Sequence, residues 1–274
     1  MAQLPTFSTL RVQATPSVLT VWIDQPETRN ALTSAVRAEL TDLCGHLERD
    51  TEFRAVVLRG ANGTFCSGGD LRDFKRQFST PPPGAGQRDA IAQDNRQFGE
   101  FLLRLQALPH TLVALVEGSA FAGALGLICV SDIAIALADA RFAISETTLG
   151  VIPAQIAPFV VARIGLTQAR RLALMGSRFD GREAQRLGFV HSVHESVDEA
   201  EAELAAVLAG VRRCGREANA TTKALLLRSA SAGIAQNELI DWAADRFAER
   251  LRSAEGQEGV GAFLAKRRPS WSSS

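Results

Sequence analysis

The stretch Ala55-Val56-Val57-Leu58, followed by Phe65-Cys66-Ser67-Gly68-Gly69-Asp70-Leu71, sets a short apolar run against a glycine-rich turn. The run is continuous rather than alternating and closes at Gly60, the pattern of a parallel strand buried on both faces. A second buried run, Thr111-Leu112-Val113-Ala114-Leu115-Val116, closes at Glu117-Gly118 and leads into Ala120-Phe121-Ala122-Gly123-Ala124-Leu125-Gly126. A third, Ile133-Ala134-Ile135-Ala136, follows. Between them the apolar period is helical. Val36, Leu40, Leu43 and Leu47 share one face, with Thr33 or Ser34 as the cap, and Phe98, Phe101, Leu102 and Leu105 share another. Strands alternating with helices predict an α/β fold with mostly parallel strands.

Toward the N-terminus, Thr9-Leu10-Arg11-Val12-Gln13 and Val18-Leu19-Thr20-Val21-Trp22-Ile23 flank Pro16-Ser17 and read as a β-hairpin. Pro81-Pro82-Pro83-Gly84-Ala85-Gly86 is the one low-complexity stretch and reads as a surface loop. From about Ile156 the pattern turns helical, with amphipathic segments at 167–175, 181–187, 198–211, 218–227 and 234–251.

The chain has 274 residues, 46% hydrophobic and 22% charged, enough to bury a core without disulfide or metal staples. Thirty basic residues balance thirty acidic ones, which argues against nucleic acid or an anionic membrane as a partner for the whole surface. No apolar run approaches the roughly 18 to 20 residues of a membrane span. Met1-Ala2-Gln3-Leu4-Pro5 lacks the charged start and apolar stretch of a secretory signal. Cys44, Cys66, Cys129 and Cys214 are scattered with no CxxC pair, the usage of free thiols in a reducing, cytoplasmic compartment. There is no tyrosine, so no phenol can act as acid or oxyanion donor.

Glycine after a strand lets the chain turn sharply and lets a ligand approach the backbone. The turns at 66–70 and 123–126 are either ordinary tight turns or, if they meet in space, two amide donors aimed at one developing negative oxygen. Glu146 follows the apolar Phe142-Ala143-Ile144-Ser145. It is either an exposed charge at a strand end or a buried acid with a raised pKa. His191 and His194 lack the further ligands of a metal site, and none is expected. No nucleophile elbow, P-loop or dinucleotide fingerprint stands in the right context, which weighs against a serine hydrolase, and neither nucleotide hydrolysis nor NAD chemistry is expected.

An ordered set of segments carries a resemblance. They are Pro26-Glu27-Thr28-Arg29-Asn30-Ala31-Leu32, then 65–71 as quoted, then Glu117-Gly118-Ser119-Ala120-Phe121-Ala122-Gly123, Ser131-Asp132-Ile133-Ala134-Ile135-Ala136, and Phe142-Ala143-Ile144-Ser145-Glu146-Thr147-Thr148-Leu149-Gly150-Val151-Ile152-Pro153. Together they resemble the enoyl-CoA hydratase/isomerase (crotonase) superfamily over nearly the whole chain. The resemblance implies a crotonase-like spiral of ββα units over residues 1–197. It also implies a C-terminal helical region over 198–274 that joins chains into a homotrimer or a dimer of trimers. Acyl-CoA thioesters are the implied substrates, with CoA entering as part of the substrate and no separate cofactor.

Carried over by position, the oxyanion donors are the backbone amides of Gly69 and Gly123, and the catalytic glutamate is Glu146. The family's other glutamate falls on Gly126. Around CoA the resemblance places Arg29 against a phosphate, or leaves it an ordinary loop charge. The Ala31 and Leu32 backbone lies at the adenine, and Ser67, Asp70 and Leu71 lie along the same turn. Asp70 reads first as a helix cap. Lys266 is either a CoA phosphate contact, in this or a neighbouring subunit, or a solvated tail charge. Gln155 is a surface amide or a partner for the water or a substrate carboxylate.

Within the superfamily, the segments around 123–128, 153–165, 178–184, 222–227 and 266–271 resemble the hydratases of branched glutaconyl-CoA thioesters. The match is best with isohexenylglutaconyl-CoA hydratase of acyclic terpene degradation, then with methylglutaconyl-CoA hydratase of leucine degradation. Δ3,Δ2-Enoyl-CoA isomerases, which use one carboxylate at the position of Glu146, are a further alternative, and a non-catalytic acyl-CoA-binding protein is the last. A physical argument favours the glutaconyl group. Its substrate carries its own carboxylate, and two such charges about 4 Å apart at an effective dielectric near 20 repel by roughly 4 kcal/mol. Gly126 removes the enzyme's charge and is expected to leave volume for a branch.

Overall fold

The computed structural model describes residues 4–231 and 233–273. The reading of Met1–Gln3 lies outside the described residues. Strands β1 (Leu10–Thr15) and β2 (Val18–Ile23) form the expected hairpin. Helix α1 (Ser34–Leu47) is capped by Thr33, whose side chain accepts from the Val36 amide, and it buries the four predicted apolar residues. The remaining elements alternate between two sheets. Strands β3 (Ala55–Gly60), β5 (Thr111–Val116), β7 (Ile133–Leu137) and β10 (Ser192–His194) join the hairpin in a six-stranded sheet ordered β1-β2-β3-β5-β7-β10, where β4 (Thr64–Cys66), β6 (Ser119–Phe121), β8 (Arg141–Ala143) and β9 (Arg178–Asp180) build the second, four-stranded sheet. From β2 to β10 the large sheet is parallel.

Each turn of the chain places one strand in the large sheet, one in the small sheet, and then a helix. The helices in question are α2 (Leu71–Gln77) and α3 (Ala90–Ala107) after β4, α4 (Gly123–Cys129) after β6, and α5 (Ala157–Met175) after β8. This is a spiral of ββα units. The crossing between sheets is tight. Gly118 (φ 88°) sits so close to the Gly63 carbonyl that a Cβ there would overlap it. Helix α5 runs longer than the predicted 167–175 and is broken at Gly165 (φ 75°).

The core lies between the sheets and the flanking helices. Under the small sheet, Phe142 of β8 stacks on Phe179 of β9 at 5.3 Å and meets Phe189 edge-on at 5.9 Å. Truncating a buried ring of this kind costs about 3–5 kcal/mol, so the strand that leads to Glu146 is firmly held. After α6 (Gly181–Arg186), helix α7 (Val197–Arg213) lays Ala200, Leu204 and Val211 on the large sheet, against Val57, Val113 and Ile135. The division expected at 197/198 falls at the start of this packed helix. Helices α8 (Arg216–Ala230) and α9 (Gln236–Arg252) bury no residue completely, and α10 (Ala254–Leu264) buries one, Ala262. Lys223 of α8, mostly buried, ties this layer to the core through Asp132 (2.8 Å) and the His110 carbonyl (3.0 Å).

Candidate active site

Three parallel strands of the small sheet deliver three site residues. Residues Thr64, Ser119 and Arg141 stand in register across β4, β6 and β8, as do Cys66, Ala120 and Phe142. Just beyond the C-terminal ends of these strands come Gly69, Gly123 and Glu146. The two glycine turns do meet. Gly68 (φ 89°) is wedged against Phe121 and Ala122, where a Cβ would lie 2.6 Å from the Phe121 carbonyl oxygen. Leu32 bridges to Gly69, its amide donating to the Gly68 carbonyl at 2.8 Å, and its side chain abuts Gly123. Among the described residues, neither the Gly69 nor the Gly123 amide donates to a protein acceptor. Gly69 and Gly123 are both half-buried, and Gly123 is the first residue of α4, where an amide has no intrahelical partner, so two uncommitted donors stand on adjoining turns.

One signal here was absent from the sequence reading. Ala122 holds φ 51°, ψ −121°, a conformation that L residues rarely adopt. Its amide donates to the Ala143 carbonyl at 2.9 Å and its own carbonyl accepts from Leu125 at 2.9 Å. Strain of this kind persists only where the surroundings enforce it. Here it marks the point where β6 gives way to α4, so that Gly123 begins the helix outside the strand ladder.

Glu146 opens a one-turn 3-10 helix after β8. The turn is pinned to α5, where Thr147 Oγ1 donates to the Ala173 carbonyl at 2.7 Å. Glu146 is half-buried, and its Oε2 is fully buried with no hydrogen-bond partner. Burial pushes its carboxyl above the ordinary value, against the pull of the Ser145 and Glu146 backbone amides. A buried carboxylate oxygen left without a partner just past a strand end is a candidate acid–base group.

Gly126, in α4, corrects an expectation. It is buried, and a Cβ there would lie 2.8 Å from Ile156 Cγ2 and 2.9 Å from Leu102 Cδ1. Leu102 and Ile156 are themselves buried. The space where a second acid would stand is filled by hydrocarbon, so Gly126 leaves no room for a substrate branch. Glu146 thus has no second acid at the Gly126 position, which is enclosed by hydrocarbon.

The expected CoA residues fall into two groups. The loop 25–32 is tied down on the turn 66–70. Ser67 donates through its amide to the Arg29 carbonyl (3.1 Å) and through Oγ to the Thr28 carbonyl (3.0 Å). Asn30, which the sequence reading did not single out, is buried and spends its amide on the Ala61 (2.8 Å) and Thr64 (2.6 Å) carbonyls. Arg29 and Leu71 are exposed at this rim. The Ala31 and Leu32 amides are already used within the protein, on Thr28 Oγ1 and the Gly68 carbonyl, so their carbonyls are what they can offer a base. Asp70 caps α2, accepting from the Arg72 amide at 2.9 Å and pairing with the Arg72 guanidinium. Lys266 lies apart, exposed in a left-handed turn after α10 (φ 54°), and forms no ion pair among the described residues. His191 is structural, with Nδ1 accepting from the Ala134 amide at 2.9 Å. Gln155 donates to Asn95 Oδ1 of α3 at 2.7 Å.

The enoyl-CoA hydratase/isomerase family model matches residues 13–274. The chain belongs to this family. It is 32% identical over 257 residues to 1,2-epoxyphenylacetyl-CoA isomerase of Escherichia coli, covering 92% of this chain and 94% of that one. Among solved structures it is similar to Pseudomonas aeruginosa AtuE (49% identical, 97% of this chain and 100% of that one, TM-score 0.90). It is also similar to an enoyl-CoA hydratase/isomerase from Marinobacter aquaeolei (46%, 96% and 99%, TM-score 0.91). The spiral α/β fold is that of the crotonase family, and the chain is an enzyme of that family.

Proposed function

We propose that this crotonase-family enzyme is a hydro-lyase that adds water across the double bond of a branched glutaconyl-CoA thioester, isohexenylglutaconyl-CoA being the substrate that the sequence resemblance favours. The observation that carries the proposal is the asymmetry of the site: one buried, unpartnered carboxylate and, where a second would stand, an apolar wall. The thioester oxygen accepts from the Gly69 and Gly123 amides, which makes the β-carbon electrophilic. Glu146 takes a proton from water as its oxygen bonds to that carbon. The enolate oxygen is held by the two amides, and the Glu146 carboxylic acid returns a proton to the α-carbon. Water is consumed, no electrons leave, and no cofactor is needed beyond the CoA of the substrate.

A specific observation also supports a second reading. A single carboxylate suffices to move a proton between the α- and γ-carbons, and the chain is 28% identical, over 98% of its length, to the peroxisomal Delta(3,5)-Delta(2,4)-dienoyl-CoA isomerase of Arabidopsis thaliana. Mass spectrometry separates the two. Offered separately, isohexenylglutaconyl-CoA and 3-methylglutaconyl-CoA are expected to gain the mass of one water and crotonyl-CoA is not. Conversion of a 3-enoyl-CoA with no gain on any 2-enoyl thioester would establish the isomerase instead.

We infer further that CoA lies along Arg29, Ala31, Leu32, Ser67, Asp70 and Leu71. The exposed rim formed by Arg29 and Leu71 supports this. We also place Lys266 on a CoA phosphate of a neighbouring subunit in a homotrimer or dimer of trimers, with 198–274 as the trimerisation region. What supports an assembly is the apolar surface of α8 to α10, where Leu226, Ile240, Phe247 and Phe263 are exposed. Light scattering is expected to return three or six chains, and a monomer would remove this part of the reading. The four free cysteines, three of them buried, fit a cytoplasmic setting. Among the described residues, no helix is long and apolar enough to cross a membrane.

A further inference from the structure

Helix α3 presents Asn95, Phe98, Gly99 and Leu102 on one face, at spacings of three, four and seven residues. Three of these residues meet the site directly. Leu102 stands against Gly126, Phe98 against Gly123, and Gly99 against Gln155. The wall is therefore graded. It is hydrocarbon at its buried end and polar at its outer end, where Gln155 Nε2 donates to Asn95 Oδ1 at 2.7 Å. Gly99 has a spatial reason to be glycine, since a Cβ there would overlap the Gln155 amide oxygen. The Gln155 carboxamide is thus drawn tight onto α3, beside the Ile156 side chain that fills the space at Gly126.

In this arrangement each amide keeps donors to spare. Gln155 retains one N–H and Asn95 retains both of its own. The charged groups of the same helix are already committed. Arg96 pairs with Glu100 (2.8 Å) and Arg104 with Glu48 (2.9 Å), while Asp94 is held by Arg37 (3.2 Å) and Gln77 (3.2 Å). The uncommitted capacity on this face of α3 therefore includes three neutral N–H donors, one from Gln155 and two from Asn95, which can pair with an anion. Spacing agrees. Three residues of helix separate Asn95 from Phe98, a rise of about 4.5 Å. The distal carboxyl of a five-carbon dicarboxylic thioester lies four bonds, about 5 Å, from the thioester carbon.

We propose that the Asn95–Gln155 carboxamide pair is a specificity-determining subsite that binds the distal carboxylate of a dicarboxylic acyl-CoA. The proposal deepens the hydratase reading and rests on it for the position of the acyl chain. It also takes the place of the room that Gly126 does not provide, because the apolar wall excludes a charge at Gly126 and the pair receives one a turn away.

The test compares two thioesters of equal shape: 3-methylglutaconyl-CoA, and 3,5-dimethylhex-2-enoyl-CoA, in which an isopropyl group replaces the carboxylate. Gln155→Met and Asn95→Leu are each expected to lower the ratio of kcat/KM for the first over the second by about 10- to 100-fold, the worth of a hydrogen bond to a charged group. The loss falls on KM, since the pair touches no reacting atom. Equal loss on both thioesters, as a structural role would give, or no change in the ratio, overturns the proposal. If the wild-type protein hydrates neither compound, the hydratase reading fails by itself. The dissociation constants of the two thioesters then decide the pair. A preference for the carboxylate that both variants abolish keeps the proposal, and its absence in the wild type overturns it.

Discussion

The turn after β8 and the helix after β6 treat polarity in opposite ways. On the β8 side, Glu146 brings a carboxylate into a place where one oxygen finds no partner. On the α4 side, Gly126 brings nothing, and Leu102 and Ile156 close over it. An unpartnered buried polar group costs roughly 1–3 kcal/mol, whereas closing hydrocarbon over a glycine stabilises the fold. In the proposed reaction, a chain that carries the first cost in one place and avoids it in the other concentrates its acid–base chemistry in a single residue. A pair of acids would have left both sides polar.

Several substitutions would break or sharpen that contrast. The largest effect is expected from Glu146→Gln, which should lower kcat by about 10² to 10⁴, measured as single-turnover rates with saturating thioester. Next is Gly68→Ala. Its Cβ would collide with the Phe121 carbonyl at a positive φ, forcing the two glycine turns apart. Loss of an oxyanion donor predicts a fall of about 10² to 10³ in kcat, with the Kd of a non-reacting acyl-CoA much less affected. On the opposite wall, Gly126→Glu should restore no activity. It should destabilise the protein by about 1–3 kcal/mol through overpacking, more if its charge stays buried, seen as a lowered denaturation midpoint. A gain in glutaconyl-CoA turnover from this substitution would remove the one-carboxylate account.

The smallest effects are in pH. Because burial raises the Glu146 pKa, the folded state binds more protons than the unfolded chain above the ordinary glutamate value. Stability from this group is therefore full below about 4.5 and declines as pH rises through the raised value. The acid limb of kcat/KM should lie above 4.5 for the same reason. Glu146→Gln should flatten the decline and stabilise the protein at neutral pH by about 1 kcal/mol, read from denaturation curves at several pH values.

What the sequence revealed follows from element length. The hairpin, α1, α3 and the long strands of the large sheet carry enough apolar residues to set a period. The strands of the small sheet have three residues each, too few to show any alternation, yet they hold the site. Gly69, Gly123 and Glu146 were therefore reachable through motif resemblance and glycine chemistry, not through pattern. The helix break at Gly165 and the added helix α10 were missed, the first because an apolar period continues across it. Ala122 and Asn30 matter through backbone angle and burial, which no side-chain type announces. The filling of the Gly126 site was hidden because it depends on Leu102 and Ile156, distant in sequence and brought together only where α3 and the start of α5 meet α4.

The central claim is that Glu146 alone passes a proton from water to the α-carbon. Its most direct test is turnover of isohexenylglutaconyl-CoA in water enriched in heavy oxygen, with the product mass followed for the wild-type protein and Glu146→Gln. The account predicts one heavy oxygen in the wild-type product and essentially none with the variant. Conversion without oxygen uptake, or uptake that survives the loss of the carboxylate, would contradict it.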